Sequence, residues 1–321
     1  MKNKSGYTPF MVAAQIGKLE HIKLLKDAGA NVTRNMRQKG CNNGLSALEL
    51  AIKSEKYPVV SYLLNEVSEL TIKKDNSHNL RDSAPALYYA CRQKDVRILD
   101  MVIDVDKIRG EKLTASDKIL ALLETVRFEN LDGMEKLLDK FNKEGFKLNA
   151  KDQQMLIQTA AGRGNVLLFQ KLLDSVAMST LKKVNYSSLM GIASDKYYVP
   201  MMREILSRQH LIEHKNGGLS QENLEQMMNK ALEKRKFDMA VLAILYGANP
   251  TNISIINNNA LSAFTDYLRM EPLEHFNAFF TAKDCKIISQ RHQQLQSVYK
   301  GTKGILGESC WLLFPCFPVL I

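Results

Sequence analysis

Apolar residues along this chain come in short paired runs at helical spacing. Phe10, Met11, Ala13 and Ala14 precede Gly17, and Ile22, Leu24 and Leu25 follow it. Side chains three and four residues apart share one face of a helix, so the pattern predicts two short helices joined by a tight turn that Gly17 permits. Thr8 is placed to cap the first helix and Pro9 suits its first turn. The small Ala13 lets the two helices approach. Leu24 and Leu25 put apolar bulk on the packed face of the second helix, and Gly29 lies where a left-handed C-cap is expected.

The frame recurs. With Ala13 as reference, Ala51 falls 38 residues later in Ser46–Ala51, closed by Leu63 and Leu64, and Ala90 falls 39 later in Pro85–Ala90. Residues 116–141 carry a worn helix pair ending in Leu137 and Leu138. Ala160 then restores the pattern with Leu172 and Leu173 behind it. Ala193 follows after 33 residues and Ala231 after 38. Gly247, Ala248 and Asn249 echo Gly29, Ala30 and Asn31, and Leu273–Phe276 echoes Leu19–Ile22. Self-similarity at this period marks a stacked repeat array, in which each unit buries its apolar face on its neighbours.

Thr8-Pro9-Phe10-Met11-Val12-Ala13, followed by Gly17 and Gly29, resembles the ankyrin unit, with Phe for Leu and Met for His in its T-P-L-H-x-A signature. The resemblance extends over roughly residues 5–282. It implies an all-α solenoid of about seven to eight helix pairs over residues 1–283, followed by a C-terminal helix and apolar tail over 284–321. Spacings of 36–39 residues imply lengthened fingers, the longest at 32–44 and 65–84. The family further implies a binding scaffold, mostly for proteins, whose concave face is lined by the exposed side of each first helix.

Aligned on the reference alanines, the concave pairs are Gln15/Ile16, Lys53/Ser54, Arg92/Gln93, Gly162/Arg163, Asp195/Lys196 and Glu233/Lys234. Every pair after the first offers one base. Lys53, Arg92, Arg163, Lys196 and Lys234 therefore form a broken basic stripe, with Tyr89 as an aromatic anchor, since Arg and Tyr are common hot-spot residues. The chain carries 44 Lys+Arg against 34 Asp+Glu, a formal charge of +10. Residues 1–110 hold 18 against 12, so most of the excess lies there. Such a field favours acidic partners. The expected partner is a protein with an acidic surface. Nucleic acid is not expected, because the basic cluster Lys230, Lys234, Arg235 and Lys236 has no interleaved aromatics.

The five cysteines, Cys41, Cys91, Cys285, Cys310 and Cys316, are odd in number and form no CxxC. This suits a reducing, cytoplasmic setting. Cys91 sits beside Ala90 and reads as core. No apolar run reaches the length of a membrane span. No phosphate loop, dinucleotide fingerprint or nucleophile elbow occurs. His210-Leu211-Ile212-Glu213-His214 matches H-x-x-E-H, an inverted zinc-protease motif. It falls at a helix end and finger, with a third ligand available only from Glu271 or Glu274 on another repeat, so the match is read as accidental. Neither a metal nor a cofactor is expected.

The segment Cys310–Ile321 is almost wholly apolar, with Pro315 and Pro318 opposing a regular helix. Three readings stand: a fold-back cap on the last repeat, a membrane-docking segment with Cys310 or Cys316 acylated, and a delivery or partner-binding peptide. At the other end, repeat one starts at residue 5 without a polar capping repeat, so either it tolerates exposure or an upstream segment is lacking. The leading expectation is a monomeric, non-enzymatic interaction module. The alternative is a secreted effector with a catalytic or membrane-docking role in the C-terminal half, since the array is similar in style to ankyrin effectors that intracellular bacteria deliver into host cells.

Overall fold

The computed structural model describes residues 3, 6–33, 45–67, 80–109, 113–175, 184–208, 220–249 and 263. The helices of these residues are α1 Pro9–Ile16, α2 Leu19–Asp27, α3 Ala47–Lys53, α4 Tyr57–Glu66, the single turn α5 Leu80–Ser83, α6 Pro85–Cys91, α7 Val96–Arg109, α8 Ala115–Arg127, α9 Leu131–Lys143, α10 Ala150–Arg163, α11 Val166–Asp174, α12 Tyr186–Asp195, α13 Val199–Ser207, α14 Gln221–Glu233 and α15 Phe237–Leu245. Setting α5 aside, they form seven helix pairs, and the fold is all-α. The structure divides into two compact units, Met1–Thr159 and Ala160–Ile321, with the division falling inside α10.

In the first unit, first helices pack on first helices, α1 on α3, α3 on α6 and α6 on α8, while α2, α4, α7 and α9 form the second row. In the second unit α12 packs on α14, and α11, α13 and α15 follow one another. Within each unit these contacts bury the apolar faces of one pair on the next, the packing expected of a solenoid. The core is aliphatic and small-residue rich. Ala14, Ala51, Ala90, Ala160, Ala193 and Ala231 are all fully buried.

Local signals in the first pair take the expected form. The Met11 N–H donates to Thr8 Oγ1 at 3.2 Å, and Pro9 occupies the first turn. Gly17 has φ +92° and Gly29 φ +76°. Leu24 departs from expectation. It is 67 % exposed, and Ile22 is the residue of α2 that is fully buried. Among the described residues α2 packs on α1 and α4, and Leu24 lies on the side that neither covers. Ile16 and Leu24 instead border an apolar hollow of about 810 Å³ beside Tyr7, Pro9 and Val12.

The left-handed turn between the helices of a pair persists where glycine does not. Gly17 and Gly164 are matched by Glu55 and Glu129 (both φ 56°), Tyr197 (φ 56°) and Arg235 (φ 54°). The next residue caps the second helix. Asn130 and Asn165 do so through their side chains, with the Gly133 N–H donating to Asn130 Oδ1 at 2.9 Å and the Leu168 N–H to Asn165 Oδ1 at 3.0 Å.

Candidate functional site

The position of the basic side chains follows from a hydrogen bond that repeats through the chain. The carbonyl of the reference alanine accepts from the N–H five residues on: Ala13 from Lys18 at 2.9 Å, Ala51 from Lys56 at 2.9 Å, Ala193 from Tyr198 at 2.9 Å and Ala231 from Lys236 at 2.8 Å. The same bond runs from the Asn130 N–H to the Thr125 carbonyl at 2.9 Å. Thr125 therefore stands in alanine's place in the worn fourth pair. It is fully buried, and its hydroxyl donates to the Leu122 carbonyl at 2.8 Å, which satisfies the polar group a threonine brings into a core. Reading this position as alanine-only hides the repeat. With Thr125 in frame, the residue two further on is Arg127, a seventh position that an alanine frame does not reach.

In the first unit the bases follow the reference residue by two. Lys53 ends α3, Arg92 caps α6 and Arg127 ends α8. In the second unit they follow it by three. Arg163 ends α10, while Lys196 and Lys234 cap α12 and α14. One residue is about 100° around a helix, so in the second unit each base is displaced by about that angle from the position two after its own reference residue. The position two after the reference holds Gly162, Asp195 and Glu233 in the second unit. All six bases sit at helix C-termini, where the terminal carbonyls favour a cation by roughly 0.3–1 kcal/mol.

The bases differ in what holds them. Lys53, Arg127, Arg163, Lys196 and Lys234 are exposed, and Arg92 is half-buried. The Arg92 guanidinium donates to the Tyr88 hydroxyl and lies 5.0 Å from the Tyr88 ring centroid and 3.9 Å from that of Phe128. This cation–π sandwich fixes its orientation. Tyr89 is only 4 % exposed, and its counterpart one pair earlier, Leu50, is 2 % exposed, so this position packs in the core. The exposed ring beside Arg92 is Phe128, at 40 %. Arg127 donates to Glu124 Oε1 at 2.6 Å. Lys196 Nζ donates to the Gly162 carbonyl and lies 5.9 Å from the Tyr198 ring.

Among the described residues no three His, Cys, Asp or Glu side chains converge as a metal site. Cys91 is fully buried. Burial, and after it the charge of Glu124, pushes its thiol well above the usual range, so it stays protonated core. His210–His214, Glu271, Glu274 and Cys310–Ile321 lie outside the described residues, as does the boundary at 283/284. No helix among the described residues is long and apolar enough to cross a membrane.

No curated protein matches the chain. Among solved structures, the crystal structure of the human ASB11 ankyrin repeat domain aligns at 17 % identity and a TM-score of 0.42, covering 63 % of this chain and 98 % of that one. The family model described as ankyrin repeats (3 copies) matches residues 1–74.

Proposed function

We propose that the chain is a monomeric, non-enzymatic protein–protein interaction scaffold whose partner presents an acidic surface to the basic ends of the first helices. Protein binding is the role typical of ankyrin repeats. The observation that carries the acidic-partner reading is recurrence: Lys53, Arg92, Arg127, Arg163, Lys196 and Lys234 occupy the same end of the first helix in every pair after the first. By the ankyrin analogy these ends line the concave face. The helix dipole explains why a cation is tolerated there. It does not require one, since α1 ends in Gln15 and Ile16. A cytoplasmic setting belongs to the same reading, supported by five cysteines without a CxxC pair.

The test is charge reversal within one unit at a time. Arg163→Glu/Lys196→Glu/Lys234→Glu and, separately, Lys53→Glu/Arg92→Glu/Arg127→Glu are compared with the parent chain for retention of a partner found by affinity capture. Rim charges act mainly through association rate and salt dependence, so at least one triple variant is expected to lose tenfold or more in affinity. Raising salt should weaken the parent in parallel. Unchanged affinity in both variants, with circular dichroism intact, overturns the reading.

A further inference from the structure

The second unit holds a small polar groove between α12 and α14, about 180 Å³ in volume. Its two walls are facing helix stripes. Ser187, Met190 and Ser194 come from α12, and Asn223, Gln226 and Met227 from α14. Two observations distinguish it from an ordinary crease. Ser194 is 5 % exposed, and its hydroxyl is buried without a hydrogen-bond partner. Buried polar groups are normally paired, because an unmet one is costly. Gly191 lies on the same wall, in the interior of α12, where glycine weakens a helix. No neighbour demands it: a Cβ built there meets nothing within 4 Å. The glycine leaves open space in the groove, and the hydroxyl leaves a hydrogen bond to be made.

We infer that this groove seats one uncharged amide side chain, a glutamine or asparagine, of a partner peptide. The walls select that chemistry. Met190 and Met227 offer adaptable apolar contact to methylenes, while hydroxyls and amides supply both donors and acceptors. The two charged residues at the groove, Asp195 and Lys230, form an ion pair with each other. A charged guest would therefore break that pair or be desolvated alone, and an apolar guest would leave the Ser194 hydroxyl unmet. Lys196 follows Asp195 directly and Lys234 lies one helical turn beyond Lys230, at the C-terminal ends of the two walls, so acidic residues next to the amide complete the motif. That last feature rests on the acidic-partner reading above, whereas the amide seat rests on the groove alone.

The test is a titration of the full chain, labelled at its methionine methyls, followed by nuclear magnetic resonance. The probes are acetylated, amidated tripeptides. Glu-Gln-Glu is expected to give saturable shifts at Met190 and Met227. Glu-Ala-Glu should give shifts at least fivefold smaller. Gly191→Leu, which fills the open space, should abolish the Gln-dependent shifts without lowering the melting temperature. Equal shifts for Glu-Gln-Glu and Glu-Ala-Glu, or unchanged shifts in Gly191→Leu, overturn the amide seat. The two readings fail separately. Binding of Ala-Gln-Ala as strong as that of Glu-Gln-Glu keeps the groove and overturns its acidic flanks. Binding of Glu-Ala-Glu that Lys196→Glu destroys, with no gain from glutamine, keeps the acidic partner and overturns the groove.

Discussion

Gly133 in the first unit and Gly191 in the second both sit inside helices, yet only the first is demanded by its surroundings. A Cβ on Gly133 would lie 2.5 Å from Asn130 Nδ2 and 2.7 Å from its Cγ, whereas one on Gly191 meets nothing within 4 Å. Gly133 makes room for a side chain that ties two repeats together. The Asn130 amide donates to the Cys91 carbonyl at 3.1 Å and the Gln93 carbonyl at 2.7 Å, both in the preceding pair, and its oxygen accepts from the Gly133 N–H. The first glycine therefore belongs to the scaffold. The second has no packing role, which is what makes it informative about function.

The contrast is broken most strongly at Asn130. Asn130→Ala removes the cap on the Gly133 N–H, worth about 1 kcal/mol, and strands two carbonyls in a setting where Asn130 is 7 % exposed. Each unmet group adds about 1 kcal/mol or more. The expected loss is roughly 3 kcal/mol, read from denaturant unfolding. A loss below about 1 kcal/mol would mean that water replaces all three bonds. Gly133→Ala comes next, at roughly 2 kcal/mol, because the methyl displaces Asn130 but leaves it free to pair elsewhere. The two changes must couple. In the Asn130→Ala background the clash is gone, and Gly133→Ala should turn stabilising by about 0.5–1 kcal/mol from helix propensity. Additive losses in the double variant would show that Asn130 is not what requires the glycine.

The sequence revealed the parts of this array that depend on residues with a single use. Thr8, Pro9, Gly17 and Gly29 each have a conformational reason to be where they are, and the first pair was legible from them. The fourth pair is legible as a worn helix pair over 116–141, but its frame is not, because its reference residue is Thr125. A buried threonine is ambiguous until its hydroxyl is seen to bond back along its own helix. With the frame lost there, Arg127 was lost too. A tyrosine on a first helix carries no mark of which face it takes, and Tyr89 is 4 % exposed. Leu24 shows the reverse error. Helical spacing identifies an apolar residue, but only the presence of a neighbour on that side determines whether it is covered. Gly191 passed unremarked, since a glycine in a helix shows its lack of a steric role only when the space around it is known.

At Gly191 the comparison predicts the opposite sign. Gly191→Ala should stabilise the chain by about 0.5–1 kcal/mol, the ordinary helix gain, because no contact opposes the methyl. The measurement is the same unfolding midpoint, set beside Gly133→Ala. Destabilisation at Gly191 would reveal a backbone requirement that the open space does not explain. It would also remove the argument that this glycine is kept for a ligand.

The smallest effect concerns glycine that is absent. Gly164 and Arg235 occupy the same turn, with φ +76° and +54°. At Gly164 the ring of Tyr198 would lie 2.8 Å from any Cβ, so both conformation and space call for glycine. Arg235 holds the conformation with an exposed side chain. A left-handed conformation costs a residue with a Cβ roughly 1–2 kcal/mol. Glycine relieves that but adds about 0.4–1 kcal/mol of freedom to the unfolded chain. The difference leaves Arg235→Gly stabilising by about 0.5 kcal/mol. Arg235 is a better probe than Tyr197, whose ring lies 5.1 Å from Lys236 Nζ and would take a contact with it when removed. A neutral or negative result would mean that the arginine earns its position through charge, either along the helix end or toward a partner. In that case Arg235→Gln, which keeps the strain and drops the charge, should account for the missing stability or affinity by itself.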